Sequence, residues 1–477
     1  MRDLIILVIG RFVHIVLTFL TIKVATTFLP PSEMAKVYLI SSVVAFFSSV
    51  LIGPVGLFIN RKINVWNSDS RLRRYFNLFF LYLLLCAALT SFLSDVAVSA
   101  EWIHIHTDKF VGLMIILASF VALNFNSTCI PSLNIIGFQR SYVVLSVLTA
   151  LASLALAMFF VTMEDEKSAE SWMFGIVCGQ LLVGMIGLEV LYGKIPRQGQ
   201  SPVAADLTLD HYKILFGFAW PVSLGALLGW LQTQSYRFIS ESEIGLHNLG
   251  IFAAGYAIGS GIMAGIESIL TSYFQPRLYK DLGNLQSDLQ VEVFSRYIGA
   301  LLPTYFLIGL TLSSMAPELS VLFLGPLYRE SANFLLFGVV AEVCRVTASA
   351  LAMGTHVRMN TRPLLIPTLV GTVTLLFLLT TLTPLMKSHG IGYSLVLAGI
   401  VSLVFTYLVS RRAIPIRMPY RALSFAVLSG FVMILLQQYG YDLFRISEYK
   451  NIYLTFFSAA LLYLPVQLFL IKPYIKA

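Results

Sequence analysis

Apolar runs of about 20 residues alternate with short polar stretches along almost the whole chain, and that rhythm leaves few architectures open. In hydrocarbon every backbone N–H and C=O needs an internal partner, so runs of this length form helices. Runs near 4–29, 37–60, 75–94, 110–133, 141–163, 172–193, 215–239, 248–273, 297–315, 331–354, 364–385, 389–410, 422–440 and 452–471 predict an all-α polytopic membrane protein of about fourteen helices. Only 12% of the residues are charged, against about 25% in a soluble domain, so lipid must be much of the solvent. The first apolar run reaches Leu29, too long for the apolar part of a signal peptide, and reads as the first span.

The net charge of +8 raises the question of nucleic acid. The basic residues lie in short loops, with no basic face interleaved with aromatics, so nucleic acid is excluded as a partner. They read instead as a topology signal. With the N-terminus on one side, the loops of that side hold 21 Lys and Arg and the opposite loops hold seven. That bias places both termini in the cytoplasm of a bacterial inner membrane. Cys86, Cys129, Cys178 and Cys344 all fall inside apolar runs without metal-ligand spacing, and read as buried small side chains. Neither a P-loop sequence nor a long extramembrane loop is present. No cofactor or catalytic constellation is expected, and a membrane-embedded glycosyltransferase or polymerase with a large outer loop is disfavoured.

The stretch from Lys23 to Tyr38 aligns weakly with Arg237 to Phe252, so that Lys23 falls on Arg237. Each segment has a cation near the outer end of a span, a short loop, then a span rich in small residues. Repeats of this kind recur in secondary transporters. The polar stretch KIPRQGQSPVAADLTLDHY, 194–212, separates two groups of six spans. The expected organisation is a lobe over 1–195, a cytoplasmic linker over 196–211, a second lobe over 212–411, and two further helices over 412–477. Gly255/Gly259, Gly261/Gly265 and Gly225/Gly229 have the spacing that lets helices approach closely. Gly53-Pro54-Val55-Gly56 marks a break in the second span.

Charge inside a span is costly and faces a cavity or an opposite charge. Arg11, Lys23, Arg237 and Arg345 lie in spans, as do Glu189, Glu267 and Glu342. Glu189 falls at an interface. Arg11 and His14, three residues apart, share a helix face; Lys23 is about 18 Å further along. Glu342 and Arg345 have the i,i+3 spacing of an ion pair. Glu267 lacks a sequence-local partner, and Arg237 on the neighbouring helix is the expected one. Arg11, Lys23, Arg237 and Arg345 are the candidate substrate-binding residues; His14, Glu267 and Glu342 are the candidate coupling or ion-pair residues. Four cations against two deep acids leave a balance near +2, which suits an anionic cargo, and arginine forks match phosphate oxygens.

Several motifs are similar to those of a known family. Gly250-Ile251-Phe252-Ala253-Ala254-Gly255-Tyr256 resembles a pattern after the seventh span of bacterial polysaccharide flippases, and Phe274-Gln275-Pro276-Arg277-Leu278-Tyr279 resembles the exit from their eighth. Ala316-Pro317-Glu318, running on to Leu324-Gly325-Pro326-Leu327-Tyr328, resembles their stretch between spans nine and ten, and Gly53 to Lys62 the end of their second span. The resemblance is to the multidrug/oligosaccharidyl-lipid/polysaccharide (MOP) exporter superfamily, polysaccharide transporter branch, with the O-antigen flippases of the Wzx type fitting best. It implies two pseudo-symmetric six-helix lobes around a central cavity. It implies alternating-access transfer of an undecaprenyl-pyrophosphate-linked oligosaccharide between leaflets, with H+ or Na+ coupling, and membrane lipids, a polysaccharide polymerase and a chain-length regulator as partners. The lipid II flippases and the multidrug or cation antiporters are the alternatives within the superfamily. The antiporters rely on a first-lobe acid, whereas the first span here carries Arg11, His14 and Lys23 without one.

Overall fold

The computed structural model describes residues 2–101, 107–196, 209–282, 287–358 and 362–444. The span expected over 452–471 and most of the linker expected over 196–211 lie outside the described residues. Within them the chain is helical: α1 (Arg2–Phe28), α2 (Pro31–Phe47), a π turn (Ser48–Ile52), α3 (Gly53–Ser68), α4 (Leu72–Ser99), α5 (Lys109–Ile135), α6 (Gln139–Met163) and α7 (Ala169–Lys194), then α8 (Leu209–Gln234), α9 (Tyr236–Leu282), α10 (Ser287–Ser314), α11 (Ala316–Phe323), a 3₁₀ turn (Pro326–Ser331), α12 (Ala332–Val357), α13 (Leu365–Ala413) and α14 (Tyr420–Phe444). Ten helical stretches among the described residues are long and apolar enough to cross a membrane. Several of these are compound: Lys213–Leu282 takes in α8 and α9, and α9 itself bends at Gly245 (φ 76°), while α13, within Arg362–Ala413, bends at Lys387 (φ 51°). The protein is therefore a polytopic membrane protein.

Local chemistry sets the helix ends. Asp108 accepts from the backbone N–H groups of Phe110 and Val111 at the start of α5, and Ser168 accepts from Ser171 N at the start of α7. Pro31 opens α2, where its missing N–H costs nothing. The second apolar run gives a longer helical stretch than hydropathy alone predicts, because helix continues past the membrane-depth residues through Arg61 and Lys62, which lie on α3. The break expected at Gly53-Pro54 is a π turn. Pro54 has no N–H to offer the Val50 carbonyl, and Ser223 Oγ of α8 donates to Val50 O instead (2.8 Å). Tyr82 Oη of α4 donates to Leu51 O (2.8 Å). Hydroxyls from two other helices thus complete the backbone that the irregular turn releases.

The chain forms two compact units, one of residues 1–241 with 245–250, the other of residues 242–244 with 251–477. In the first, α7 packs against α5 and α6, α1 against α6, α4 against α5, and α8 against α2, α3 and the π turn. In the second, α12 packs against α10 and α13, and α14 against α10. Glycines make the closest approaches. A Cβ on Gly255 or Gly259 would stand 2.3 Å from Ser331 O or 2.4 Å from Leu335 O, so that expected pair does pack backbone to backbone, whereas Gly229 faces open space. Gly175 and Gly179 of α7, which spacing arguments did not single out, do the same against Ala157 and Ser153 of α6. A Cβ on Gly179 would lie 2.4 Å from Ser153 Cα. Gly179→Ala is accordingly expected to destabilise the protein by about 1–3 kcal/mol through overpacking, read as a lowered melting temperature in detergent. An unchanged melting temperature would mean that α6 and α7 separate easily.

Candidate functional site

Glu342 and Arg345 are three residues apart near the middle of α12, and the helix turns both to one face. Arg345 Nε donates to Glu342 Oε1 (2.8 Å), and Nη2 lies 2.7 Å from the same oxygen. Nη2 also bonds Glu267 Oε2 of α9. One guanidinium therefore joins two carboxylates from two helices. The Glu267 and Glu342 side chains are 13% and 11% exposed, while that of Arg345 is 43% exposed, so the cation is the open member of the cluster. Tyr305 of α10, fully buried, lies within electrostatic range of both Glu267 and Arg345, and Tyr297, about two turns earlier on the same helix, within range of Glu267. Neither phenolic oxygen has a hydrogen-bond partner in the structure.

The expected partnership of Glu267 with Arg237 is corrected: its partner is Arg345. Sequence spacing could find the Glu342–Arg345 pair because one helix contains both. The third member depends on how α9 meets α12, and glycine packing sets this, at Gly255 on Ser331 and Gly259 on Leu335. A second correction follows for charge. Within this cluster Arg345 faces two carboxylates, so it is not a bare cation.

Arg237 occupies a different setting, in the first unit. It is 9% exposed. Its Nε donates to Tyr236 Oη (3.2 Å), and its Nη1 donates to Tyr38 O (3.2 Å) and Ser42 Oγ (2.6 Å). The guanidinium carbon stands 5.0 Å from the Tyr38 ring centroid and 5.5 Å from that of Tyr236. Trp230 Nε1 donates to Ser42 O (2.9 Å), and Gln234 Oε1 is 3.1 Å from Ser42 Oγ. Trp230, Gln234 and Arg237 together grip one turn of α2. Glu241, one helical turn beyond Arg237, is also buried. The sequence reading left it out because the apolar run ends two residues earlier.

Arg11, His14 and Lys23 lie on α1. Arg11 and His14 are exposed on the shared face that their spacing predicts, and Lys23 is half-buried. Thr18 Oγ1 donates to His14 O (2.9 Å), and Thr27 Oγ1 to Lys23 O (2.7 Å), so threonine hydroxyls turn back onto the helix backbone rather than towards the cations. Among the described residues no group of three or more His, Cys, Asp or Glu side chains has the geometry of a metal site.

No family model matches the sequence, and no curated protein sequence matches it. Solved structures do. The fold is similar to that of the lipid II flippase MurJ in an inward closed conformation, with a TM-score of 0.71, 12% identity, and coverage of 99% of this chain and 100% of that one. It is also similar to an inward-facing multidrug resistance MATE family transporter of the MOP superfamily, with a TM-score of 0.60, 13% identity, and coverage of 83% and 94%. A MOP superfamily transporter from Pyrococcus furiosus, described as having a binding pocket of reverse polarity, matches with a TM-score of 0.54, 13% identity, and coverage of 86% and 95%. The chain thus has the fold of the MOP superfamily transporters, the architecture towards which its motifs pointed.

Proposed function

We propose that the chain is a flippase that carries an undecaprenyl-pyrophosphate-linked oligosaccharide, an O-antigen or related surface polysaccharide unit, from the cytoplasmic to the periplasmic leaflet by alternating access. The observation that carries the reading is the extent of the match. The MATE transporter covers 83% of this chain, whereas the lipid flippase covers 99%, so the length beyond the MATE-like part has its counterpart in a lipid carrier. The half-exposed Arg345 guanidinium supplies the fork that a diphosphate recognises. In the structure that fork is held by Glu267 and Glu342. A phosphate oxygen entering the cluster would take the place of Glu267, the partner from the other helix, while Glu342 keeps the guanidinium oriented. Arg11 and Lys23 provide further cations along α1. Release of the Glu267 carboxylate gives the site a group that a proton or Na+ neutralises during the cycle. The chain resides in the inner membrane with both termini cytoplasmic, and a polymerase and a chain-length regulator use its product.

The test is a leaflet assay in a deletion strain of the host. The lipid-linked oligosaccharide is expected to stay accessible from the cytoplasmic side alone, with outer exposure restored by the wild-type chain but not by Arg345→Met. Normal outer exposure in the deletion strain, with no second flippase present, would sink the proposal. Rescue confined to lipid II would assign the alternative headgroup. The two carboxylates on one guanidinium favour a second reading, a multidrug or cation antiporter. Resistance to hydrophobic cations that depends on Glu267, without any change in the polysaccharide lipid, would establish it instead.

A further inference from the structure

A groove of about 510 Å³ opens in the first unit between α5, α6 and α7, and no residue of the charged clusters lines it. Its size falls within the roughly 300–1,000 Å³ of small-molecule sites. Its wall is apolar, with Met114 and Ala118 from α5, Phe160 from α6 and Phe174 from α7, and its only charged lining residues are Glu164 and Glu170. Met114 and Phe174 are 42% and 49% exposed.

The position of each group along its helix gives the groove a polarity. Glu164 is the C-cap of α6 and Glu170 stands in the first turn of α7, so both carboxylates lie at the helix ends. The apolar wall runs inward from Phe110 at the start of α5 to Ala118, about 12 Å at 1.5 Å per residue. That length is close to the depth of one leaflet, since the hydrocarbon core is about 30 Å thick. Carboxylates at the headgroup level and an apolar channel beneath them match an amphiphile lying parallel to the helices.

The charge at the rim selects the headgroup. Lys167 does not neutralise the acids: its ammonium donates to the backbone carbonyls of Val161 (3.0 Å) and Glu164 (2.8 Å). Lys109 is paired with Asp95 (2.7 Å) and donates to Ser99 Oγ (2.9 Å). Glu164 accepts from Ser168 Oγ (2.8 Å), a neutral partner. Among the described residues neither rim carboxylate has a cation within salt-bridge range. We propose that this groove is a site for an ethanolamine phospholipid, with an acyl chain along Met114, Ala118 and Phe174 and the headgroup ammonium between Glu164 and Glu170.

The measurement is native mass spectrometry of the full chain, released from micelles holding equal amounts of phosphatidylethanolamine and phosphatidylglycerol with identical acyl chains. The wild-type chain is expected to retain the ethanolamine lipid about fivefold over the glycerol lipid, the scale of two exposed charge pairs. Glu164→Gln with Glu170→Gln, both surface changes of conserved shape, should bring that ratio to about one. Ala118→Phe, which fills the groove, should lower retention of the ethanolamine lipid while leaving the fold intact by circular dichroism. Equal retention of both lipids by the wild type, a ratio that survives the double Gln variant, or full retention by Ala118→Phe would each overturn the assignment.

Discussion

Arg345→Met is expected to cost the protein about 2–4 kcal/mol of stability, because it leaves the Glu267 and Glu342 carboxylates without their shared cation. The lower half of that range allows for the 43% exposure of the arginine side chain, which screens part of the interaction. Removing all three charges together, as Arg345→Met with Glu267→Gln and Glu342→Gln, should recover most of the loss, since no unpaired ion remains at membrane depth. Leaflet transfer should not recover with it, because the guanidinium fork is gone. Arg345→Lys keeps the charge but cannot span both carboxylates with a planar fork, and should lie between the two. Melting temperatures in detergent, beside the leaflet assay, separate these effects. A single Arg345→Met variant as stable as wild type would show that the cluster does not hold α9 to α12. A neutral triple variant with full transfer would remove Arg345 from substrate recognition.

Arg237→Ala should cost a comparable amount, about 2–5 kcal/mol, for another reason. It empties a buried volume between the Tyr38 and Tyr236 rings and deletes the bonds from Nη1 to Tyr38 O and Ser42 Oγ. Arg237→Met fills most of that volume and should recover part of the stability. The decisive reading is transfer by folded Arg237→Met protein. If Arg237 only holds one turn of α2 against Trp230 and Gln234, the folded fraction transports at close to the wild-type rate. If transfer is lost while the fold survives, Arg237 contacts cargo, and the caged geometry is one state of a residue that leaves its cage.

The class of fold was legible because a run of 20 apolar residues has few alternatives to a helix. What escaped sequence reading was what hydropathy does not encode. α3 carries Arg61 and Lys62 beyond the apolar run because helix continuation needs backbone partners rather than lipid. The short α11 and the 3₁₀ turn after it occupy a stretch whose motif was visible but whose helicity was not, since eight residues are too few for a span. At the candidate site, Glu342–Arg345 was readable from i,i+3 spacing. Glu267 was readable as an unusual deep acid, but not its partner, which backbone approach at Gly255 and Gly259 decides. Arg237 was readable as a membrane-depth cation. That its donors go to a carbonyl and a serine of α2 depends on α8 and α9 lying against α2, a long-range contact with no local signature.

The π turn between Phe47 and Gly53 has a hereditary consequence. Such a turn contains one residue more than the helix on either side of it needs. Deleting a single codon in Ser48–Ile52 would let the turn close into a regular helix with the faces on either side nearly in register, whereas the same loss from a regular stretch swings everything after it by about 100°. A codon lost from residues 53–58 would turn Ile59 and Ile63, now buried at 7% and 0% exposure, out of the core, and the exposed Arg61 and Lys62 towards it. After a loss within the turn, the carbonyl four residues before Pro54 would still lack a backbone donor, so a hydroxyl such as that of Ser223 would still have a partner there. Lineages that carry this chain should therefore tolerate a lost residue in the five positions of the turn far more readily than one lost just after them.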